Sequence, residues 1–468
     1  WIAGGDNKWL ILDSWVGRWW LGKWASRRSR NFECFSTRND HPWRTDSGYS
    51  IPARYLVDGL CKDLDLGVFA PVGQRYKIEY YFPEVGIFSV DPTYKLVLPD
   101  KTEIDAGPPV PIYPGVSEDY GENIVEEHYQ HFQAELLWLI GDAWALSRIF
   151  DLAKQDRIRL VLQPPVDFME PFPQYLLDRL STAFKIVPWV QDGYDRLAKA
   201  GLKNLANPIP LGINCELWKP RDRTKFPDTM RDLGFGLDTF NIAIVAANQM
   251  GRKAWEQTFR AIRIVREQRP DIPLRLYIHT QSNIADGWDM TALLNHYGIA
   301  DITNQPDPYS IITGQFSEYQ IMLIHALADV IVNAGLEGFG HSTIQAQAVG
   351  TPVIGLNAAA TPELVKSGIL VPVYSDLLTP ALLHKVEPHP MHIADALIKI
   401  RETPRKEFAK GVQFVKERFD WPIVLEKWRK LFREVDAEFE RRCIKSVRYP
   451  PKPSERALEL AKQVTIVE

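Results

Sequence analysis

The chain has 468 residues, 55 basic and 59 acidic, for a formal charge of −4. That length suits roughly two or three domains, and 45% apolar with 24% charged residues is ordinary globular usage that excludes a disordered chain. The near-balance of charge excludes a nucleic-acid binder driven by bulk charge, while leaving a local basic patch open.

Cys34, Cys61, Cys215 and Cys443 are far apart and form neither a disulfide framework nor a zinc spacing, so a reducing, cytoplasmic setting is expected. No apolar run approaches the ~18 residues of a membrane span. The first residue is Trp1 rather than Met, and the opening stretch lacks the apolar core of a signal peptide.

Residues 1–30 stand apart in composition. They hold Trp1, Trp9, Trp15, Trp19, Trp20 and Trp24, with Arg18, Lys23, Arg27, Arg28 and Arg30 and no acid between Ser14 and Phe32. One reading is an N-terminal extension whose tryptophans pack on the first domain. The other is a surface at residues 15–30 for an anionic acceptor, a membrane to which the protein is peripheral, or nucleic acid.

From Asn31 the pattern turns α/β. Phe32–Ser36 is expected to be the first strand, and a helix follows with Ala53, Leu56, Val57 and Leu60 on one face. Leu66–Ala70, Leu136–Ile140, Arg159–Gln163 and Phe184–Pro188 read as further buried strands, with proline- and glycine-rich short strands over 83–115 and a helix over Glu126–Phe132. A proline-bearing charged stretch, Lys219–Arg223, marks a linker.

A second series then begins at Phe240–Val245. It continues with a helix over Ala254–Gln268, strands at Leu274–Ile278, Val330–Asn333 and Val353–Gly355, and a helix from Ser342. The last helix starts near Trp421-Pro422, with Val424, Leu425, Trp428, Leu431, Phe432, Val435 and Phe439 at helical spacing. Strands alternating with helices predict parallel, doubly wound sheets.

Several motifs sit at strand ends, where open α/β sheets place ligands. Arg252 and Lys253 follow a strand and precede a helix, so cations and backbone N–H groups can face a diphosphate together. A solvated basic pair is the plain alternative. Glu337-Gly338-Phe339-Gly340 lies between a strand and a helix, with glycines that admit close approach to a ligand and a carboxylate able to accept from sugar hydroxyls. Gln345 stands eight residues after Glu337, and Glu363 follows the next strand. Asp142 ends an apolar strand just before Trp144, where it could orient or deprotonate an acceptor hydroxyl or simply cap a helix. Asp167 ends another strand. His389 and His392 are flanked by prolines and lack carboxylate partners, and no Asp-x-Asp follows a strand, so no metal site is expected.

The run Glu337-Gly338-Phe339-Gly340, Gln345, Gly350-Thr351-Pro352-Val353-Ile354 and Pro362-Glu363-Leu364-Val365 resembles the donor-binding core of glycosyltransferase family 4, which has the GT-B fold. Pro210-Leu211-Gly212-Ile213-Asn214, Asn248-Gln249-Met250-Gly251-Arg252-Lys253 and Ser47-Gly48-Tyr49-Ser50 are similar to that family's passage into the donor domain, its basic phosphate clamp and its glycine loop after the first strand. Gly141-Asp142-Ala143-Trp144 and Pro165-Val166-Asp167 resemble motifs of a smaller subgroup.

The resemblance implies an α/β, GT-B protein of two Rossmann-like domains facing a central cleft. An extension would cover 1–30, an acceptor domain 31–212, a donor domain 213–420, and a helix crossing back to the first domain, with a basic tail, 421–468. It further implies a retaining, metal-independent transfer of a sugar, a hexose by expectation, from a nucleotide-diphospho-sugar to an acceptor hydroxyl, with no cofactor.

Arg252, Lys253, Glu337 and Asp142 are the expected catalytic residues. Gly48, Gly251, Gly338, Phe339, Gly340, His341, Gln345 and Glu363 are expected at the donor, and Tyr49, Trp144 and Asp167 at the acceptor. His341 stands where the family has an apolar residue, and it reads either as a backbone donor to the ligand or as a surface histidine. Gln345 stands where the family has a second glutamate for the ribose hydroxyls, and it keeps hydroxyl bonding without a charge. That departure leaves two other readings open: another GT-B chemistry such as a sugar-nucleotide epimerase, or a catalytically weak binding subunit.

Overall fold

The computed structural model describes residues 8–14, 50–70, 78–82, 86–88, 96–97, 103–104, 110–114, 122–144, 146–249, 251–284 and 287–447. Contacts divide the chain into Trp1–Leu425, which holds both sheets, and Glu426–Glu468.

The first sheet contains β1 (Lys8–Ser14), β2 (Asp65–Ala70), β3 (Glu79–Phe82) and β4 (Gly86–Phe88). Next come the small pair β5 (Leu96–Val97) and β6 (Glu103–Ile104), and then β7 (Val110–Pro114), β8 (Leu136–Gly141), β9 (Leu160–Gln163) and β10 (Lys185–Ile186) of the first sheet. Its order is β10-β9-β8-β1-β2-β7-β3-β4. The strands from β10 to β7 run parallel, and β3 and β4 extend the β7 edge antiparallel.

The second sheet is entirely parallel. It comprises β11 (Phe240–Val245), β12 (Leu274–His279), β13 (Thr303–Asn304), β14 (Val330–Asn333), β15 (Val353–Leu356) and β16 (Gly368–Val371), in the order β13-β12-β11-β14-β15-β16. An antiparallel hairpin follows, β17 (Val373–Leu378) with β18 (His384–Pro388).

Counted by chain position, the parallel strands of both sheets follow the doubly wound order 3-2-1-4-5-6, and each has a switch point where the order reverses. These lie between β1 and β8 and between β11 and β14. The central strands β8, β14 and β15 are buried along their whole length, as expected where helices cover both faces of a parallel sheet. Helix Trp255–Gln268 presents Trp255, Phe259, Ile262 and Val265 at helical spacing to the second core.

The halves meet at several points. Ile213, where the chain leaves the first half, bridges Asp420, where it returns: Ile213 N donates to Phe419 O (2.7 Å) and Trp421 N to Ile213 O (3.2 Å). The last helix, Trp421–Val447, begins by stacking Trp421 on Tyr55 of helix Ser50–Leu60. The hairpin reaches back too: Leu383 lies in the first core and Met169 N donates to His384 O. In the second unit, Trp428 and Phe432 are buried and stack on one another. Among the described residues, no helix is long and apolar enough to cross a membrane.

The expected extension over 1–30 needs correcting. Residues Lys8–Ser14 within it are a central strand, paired in parallel with both β2 and β8. The run Trp9-Leu10-Ile11-Leu12 is a short apolar segment of the kind that a buried parallel strand needs, and the surrounding tryptophans and basic residues masked it. The expected strand Phe32–Ser36, the surface at 15–30 and the basic tail after Val447 lie outside the described residues.

A proline inside β1 would remove a ladder donor from the middle of a sheet. Ile11→Pro is therefore expected to destabilise the fold by about 1–3 kcal/mol, the cost of a buried backbone partner left unsatisfied, and to lower the thermal unfolding midpoint measured by circular dichroism. A strand belonging to a dispensable extension would leave that midpoint unchanged.

Candidate active site

The clamp segment Asn248–Lys253 leaves the carboxyl end of β11, and the segment to Gly340 leaves that of β14, so both flank the switch point of the second sheet. Asn248 anchors the first. Its Nδ2 donates to Gln281 O (2.9 Å) and Trp288 O (2.7 Å), and its Oδ1 accepts from Trp288 N (2.8 Å). Gly251 takes a φ of +81° and Gly340 one of +74°, which glycine adopts without steric cost. Gly335 lies so close to the clamp that a Cβ there would sit 2.6 Å from Arg252 O.

Each clamp cation meets a carboxylate. Arg252 Nη1 donates to Asp167 Oδ2 across the halves (2.7 Å), while its Nε and Nη2 donate to Gln249 Oε1. Lys253 Nζ donates to Glu337 Oε1, and both of these side chains are nearly buried. Burial holds the Lys253 ammonium below its ordinary value, and neighbouring Arg252 adds to the effect.

Asp167 is presented by a loop that buried Arg196 organises. Arg196 donates to Val166 O (3.2 Å) and Phe168 O, and it pairs with Glu170 (2.8 Å) and Asp192 (3.2 Å). Asp142, just past β8 at the switch point of the first sheet, completes the group. Its carboxyl is pushed up to about 7, first by desolvation and then by the Asp167 charge, while Arg252 pulls the other way. Asp142 keeps part of its surface in solvent.

Two other contacts close the cleft. At Gly338 an added Cβ would lie 2.9 Å from Pro165 Cβ and 3.0 Å from Val166 N. Glu363 Oε2 accepts from Asp192 N (3.1 Å), which puts a carboxylate at the first turn of helix Gln191–Lys199.

The structure thus brings Arg252, Lys253, Glu337, Asp142 and Asp167 together, with Gly251, Gly338 and Gly340 as the close-approach backbone. Gln345 is buried one turn into helix His341–Ala348. Other residues fall differently from expectation. The Phe339 side chain is 2% exposed and packs edge-on against Trp189 and Phe419, so it serves the core and leaves only its backbone for a ligand. The His341 ring is no surface group: its Nε2 lies 3.1 Å from Gly212 O, and burial holds the ring below its ordinary pKa. Trp144 is 48% exposed beyond Asp142. Gly48 and Tyr49 lie outside the described residues, and since β1 is Lys8–Ser14, they do not follow the first strand directly.

One residue escaped the sequence reading. Lys385 of β18 extends over the clamp, and a Cβ on Gly251 would nearly touch its Nζ. It pairs with Glu387 (2.6 Å), which also accepts from Gln257. An isolated lysine in a hairpin carries no motif.

No protein-family model matches the chain. Over 232 residues it is 27% identical to the D-inositol 3-phosphate glycosyltransferase of Paenarthrobacter aurescens, covering 47% of this chain and 50% of that protein. To the protein of the same name from Saccharomonospora viridis it is 23% identical over 332 residues, 68% and 71% of the two chains. The chain thus spans about half the length of the first of these relatives. Among solved structures it superposes on Anabaena Alr3699/HepE in complex with UDP-glucose with a TM-score of 0.59 at 14% identity, covering 91% of this chain and 99% of that one.

The chain has the GT-B fold. A second solved structure, from E. coli and described as trehalose-6-phosphate bound with UDP-2-fluoro glucose, has a TM-score of 0.57 at 11% identity over 91% of this chain and 98% of that one. The two doubly wound sheets are thus the two Rossmann-like halves of a GT-B fold.

Asp142 generates a prediction. Its raised carboxyl takes up a proton on folding at a pH where the unfolded chain has lost one, so the contribution it makes to stability falls as pH rises from about 4 to about 7. Asp142→Asn should unfold at a higher temperature than the parent at pH 8 and at nearly the same temperature at pH 4. Calorimetry at the two pH values checks this, and an equal shift at both would assign the effect to packing.

Proposed function

We propose that the chain transfers a hexose from a nucleotide-diphospho-sugar to an acceptor hydroxyl, with retention of configuration and without a catalytic metal ion. The observation that carries this reading is the placement of Arg252, Lys253 and Glu337 at the switch point of the second sheet, facing Asp167 and Asp142 of the first. UDP-hexoses are the proposed donors, since the structural neighbours carry UDP-glucose and a UDP-fluoroglucose. D-inositol 3-phosphate, the compound in the sequence relatives' name, is the first acceptor to test.

On this reading the donor diphosphate takes the place of Asp167 as the partner of Arg252. Arg252 and Lys253 then meet the negative charge that grows on the departing phosphate, which is electrostatic stabilisation by groups already in position. Glu337, at the glycine loop, accepts from the sugar hydroxyls, and Gln345 from the ribose. The acceptor enters from the side of Asp142 and Trp144, and its proton passes to the leaving phosphate on the face where attack occurs. A nucleotide-sugar donor and the free thiols Cys61 and Cys215 suit a cytoplasmic enzyme.

Arg252 is partly exposed but its partner Asp167 is buried, so Arg252→Ala should lower the unfolding midpoint and, in the folded protein, lose about 10²–10³ in kcat/KM. Lys253 is a less clean target: removing it strands the buried Glu337 carboxylate, at a cost of roughly 3–5 kcal/mol in stability. Steady-state transfer and thermal unfolding of the Arg252 variant provide the check, and a near-normal rate at saturating donor rejects the clamp. Addition of EDTA should leave the parent rate unchanged. A chain that neither transfers nor hydrolyses any UDP-, GDP- or ADP-hexose would instead be a binding subunit.

Calorimetric titration of UDP tests the orientation of the donor. Gln345→Ala should weaken UDP by about tenfold, the worth of one lost hydrogen bond, whereas Gln345→Glu should hold or improve it. Equal affinity for parent and Gln345→Ala would place the ribose elsewhere.

A further inference from the structure

A second basic site lies away from the clamp. The linker after Asn214, the end of helix His341–Ala348 and the short helical turn Arg405–Phe408 enclose a groove of about 320 Å3. Its charged walls are Arg221, Arg405 and Lys406, with no carboxylate among the lining residues. Its floor is apolar: at Gly350 (φ +75°) a Cβ would meet Val412 Cγ2 at 3.6 Å and Pro220 Cγ at 3.7 Å, so bare backbone separates those two side chains.

The three cations are differently engaged. Arg405 donates to the carbonyls of Ala328 (3.0 Å) and Ala326 (3.3 Å) and to Thr351 Oγ1 (2.9 Å), which fix its guanidinium but carry no charge to offset it. The acid that acts on it, Asp329, is already in an ion pair with Arg223 at 2.6 Å. Arg221 gives one bond to Leu217 O (3.3 Å) and lies over the Tyr319 ring, and its Nε is buried with no hydrogen-bond partner. Lys406 is exposed at the mouth. Three cations with no carboxylate paired to them among the described residues, beside an apolar floor, make a site short of an anion.

We infer that this groove binds a small phosphate monoester, its phosphate held by Arg221 and Lys406 in the field of Arg405 and its compact body lying on Pro220 and Val412. The volume lies at the small end of ligand pockets, too small for a nucleotide sugar and sufficient for a phosphorylated small molecule. The site is separate from the donor clamp. It lies at the far end of the helix whose first turn carries the Glu337–Gly340 loop, roughly 12 Å away along eight residues. Arg221 also stands on the linker, so the ligand would be held by the segment that joins the two halves.

Phenyl phosphate and inorganic phosphate, titrated calorimetrically into the full chain, test the inference. Phenyl phosphate should bind about tenfold more tightly than inorganic phosphate, because only it covers the apolar floor. Lys406→Glu and Arg221→Gln should each weaken it by about tenfold or more, while Arg252→Ala should leave it unchanged. Lys406 is exposed, so its variant stays folded even if a change on the linker does not. Absence of binding to the folded parent at millimolar phenyl phosphate overturns the inference. So does binding that Arg252→Ala abolishes and Lys406→Glu leaves intact, since the phosphate then sits at the clamp.

Discussion

The Arg252–Asp167 ion pair joins the switch point of the second sheet to the loop that follows β9 in the first. Doubly wound sheets each gather ligand-facing loops at the carboxyl ends of their strands. Two such sheets make one site only if those ends face each other, and here the guanidinium of one half reaches the carboxylate of the other. Arg196 holds the Asp167 loop from below, and Asn248 holds the clamp loop. The same contact sets the charge of the cleft. Asp142 would be an ordinary carboxylate in water, but it shares this enclosed space with Asp167 and stays protonated up to near neutrality.

The closed cleft therefore holds its cations against carboxylates of its own. Arg252 on Asp167 and Lys253 on Glu337 satisfy charges that would otherwise be costly to bury. On the function proposed above, an incoming diphosphate displaces at least the first of these, so that binding is an exchange of anions rather than the filling of a bare positive hole. Glu363, on the first turn of helix Gln191–Lys199, adds a charge-to-dipole contact across the same gap.

Much of this was legible from residues alone, for a local reason. Strands such as Phe240–Val245 and Val330–Asn333 are short apolar runs bounded by turn signals, and the loops after them carry glycine and charge at fixed offsets. Asp142 and Asp167 could be placed at sheet edges because each closes such a run. What could not be read was long-range. β1 was hidden by a tryptophan- and arginine-rich context, and its partners lie far along the chain. Phe339 and His341 sit within a ligand-loop motif, but their side chains turn to aromatic and carbonyl partners brought in from the first half and the linker. Lys385 reaches the clamp only because the β17–β18 hairpin, far further along the chain, folds back over the Gly251 loop.

The central position of β1 bears on how the chain acquires its structure on the ribosome. Trp9 pairs with Leu66 on one side and Leu136 on the other. β1, made before both of its partners, can thus satisfy one edge soon after β2 emerges, but its second edge stays open until β8 has been made. Through that interval an apolar strand offers unpaired backbone groups to any neighbouring chain, the situation in which edge-to-edge aggregation begins. Vectorial synthesis thus makes the nascent first half the vulnerable species for as long as β8 is missing.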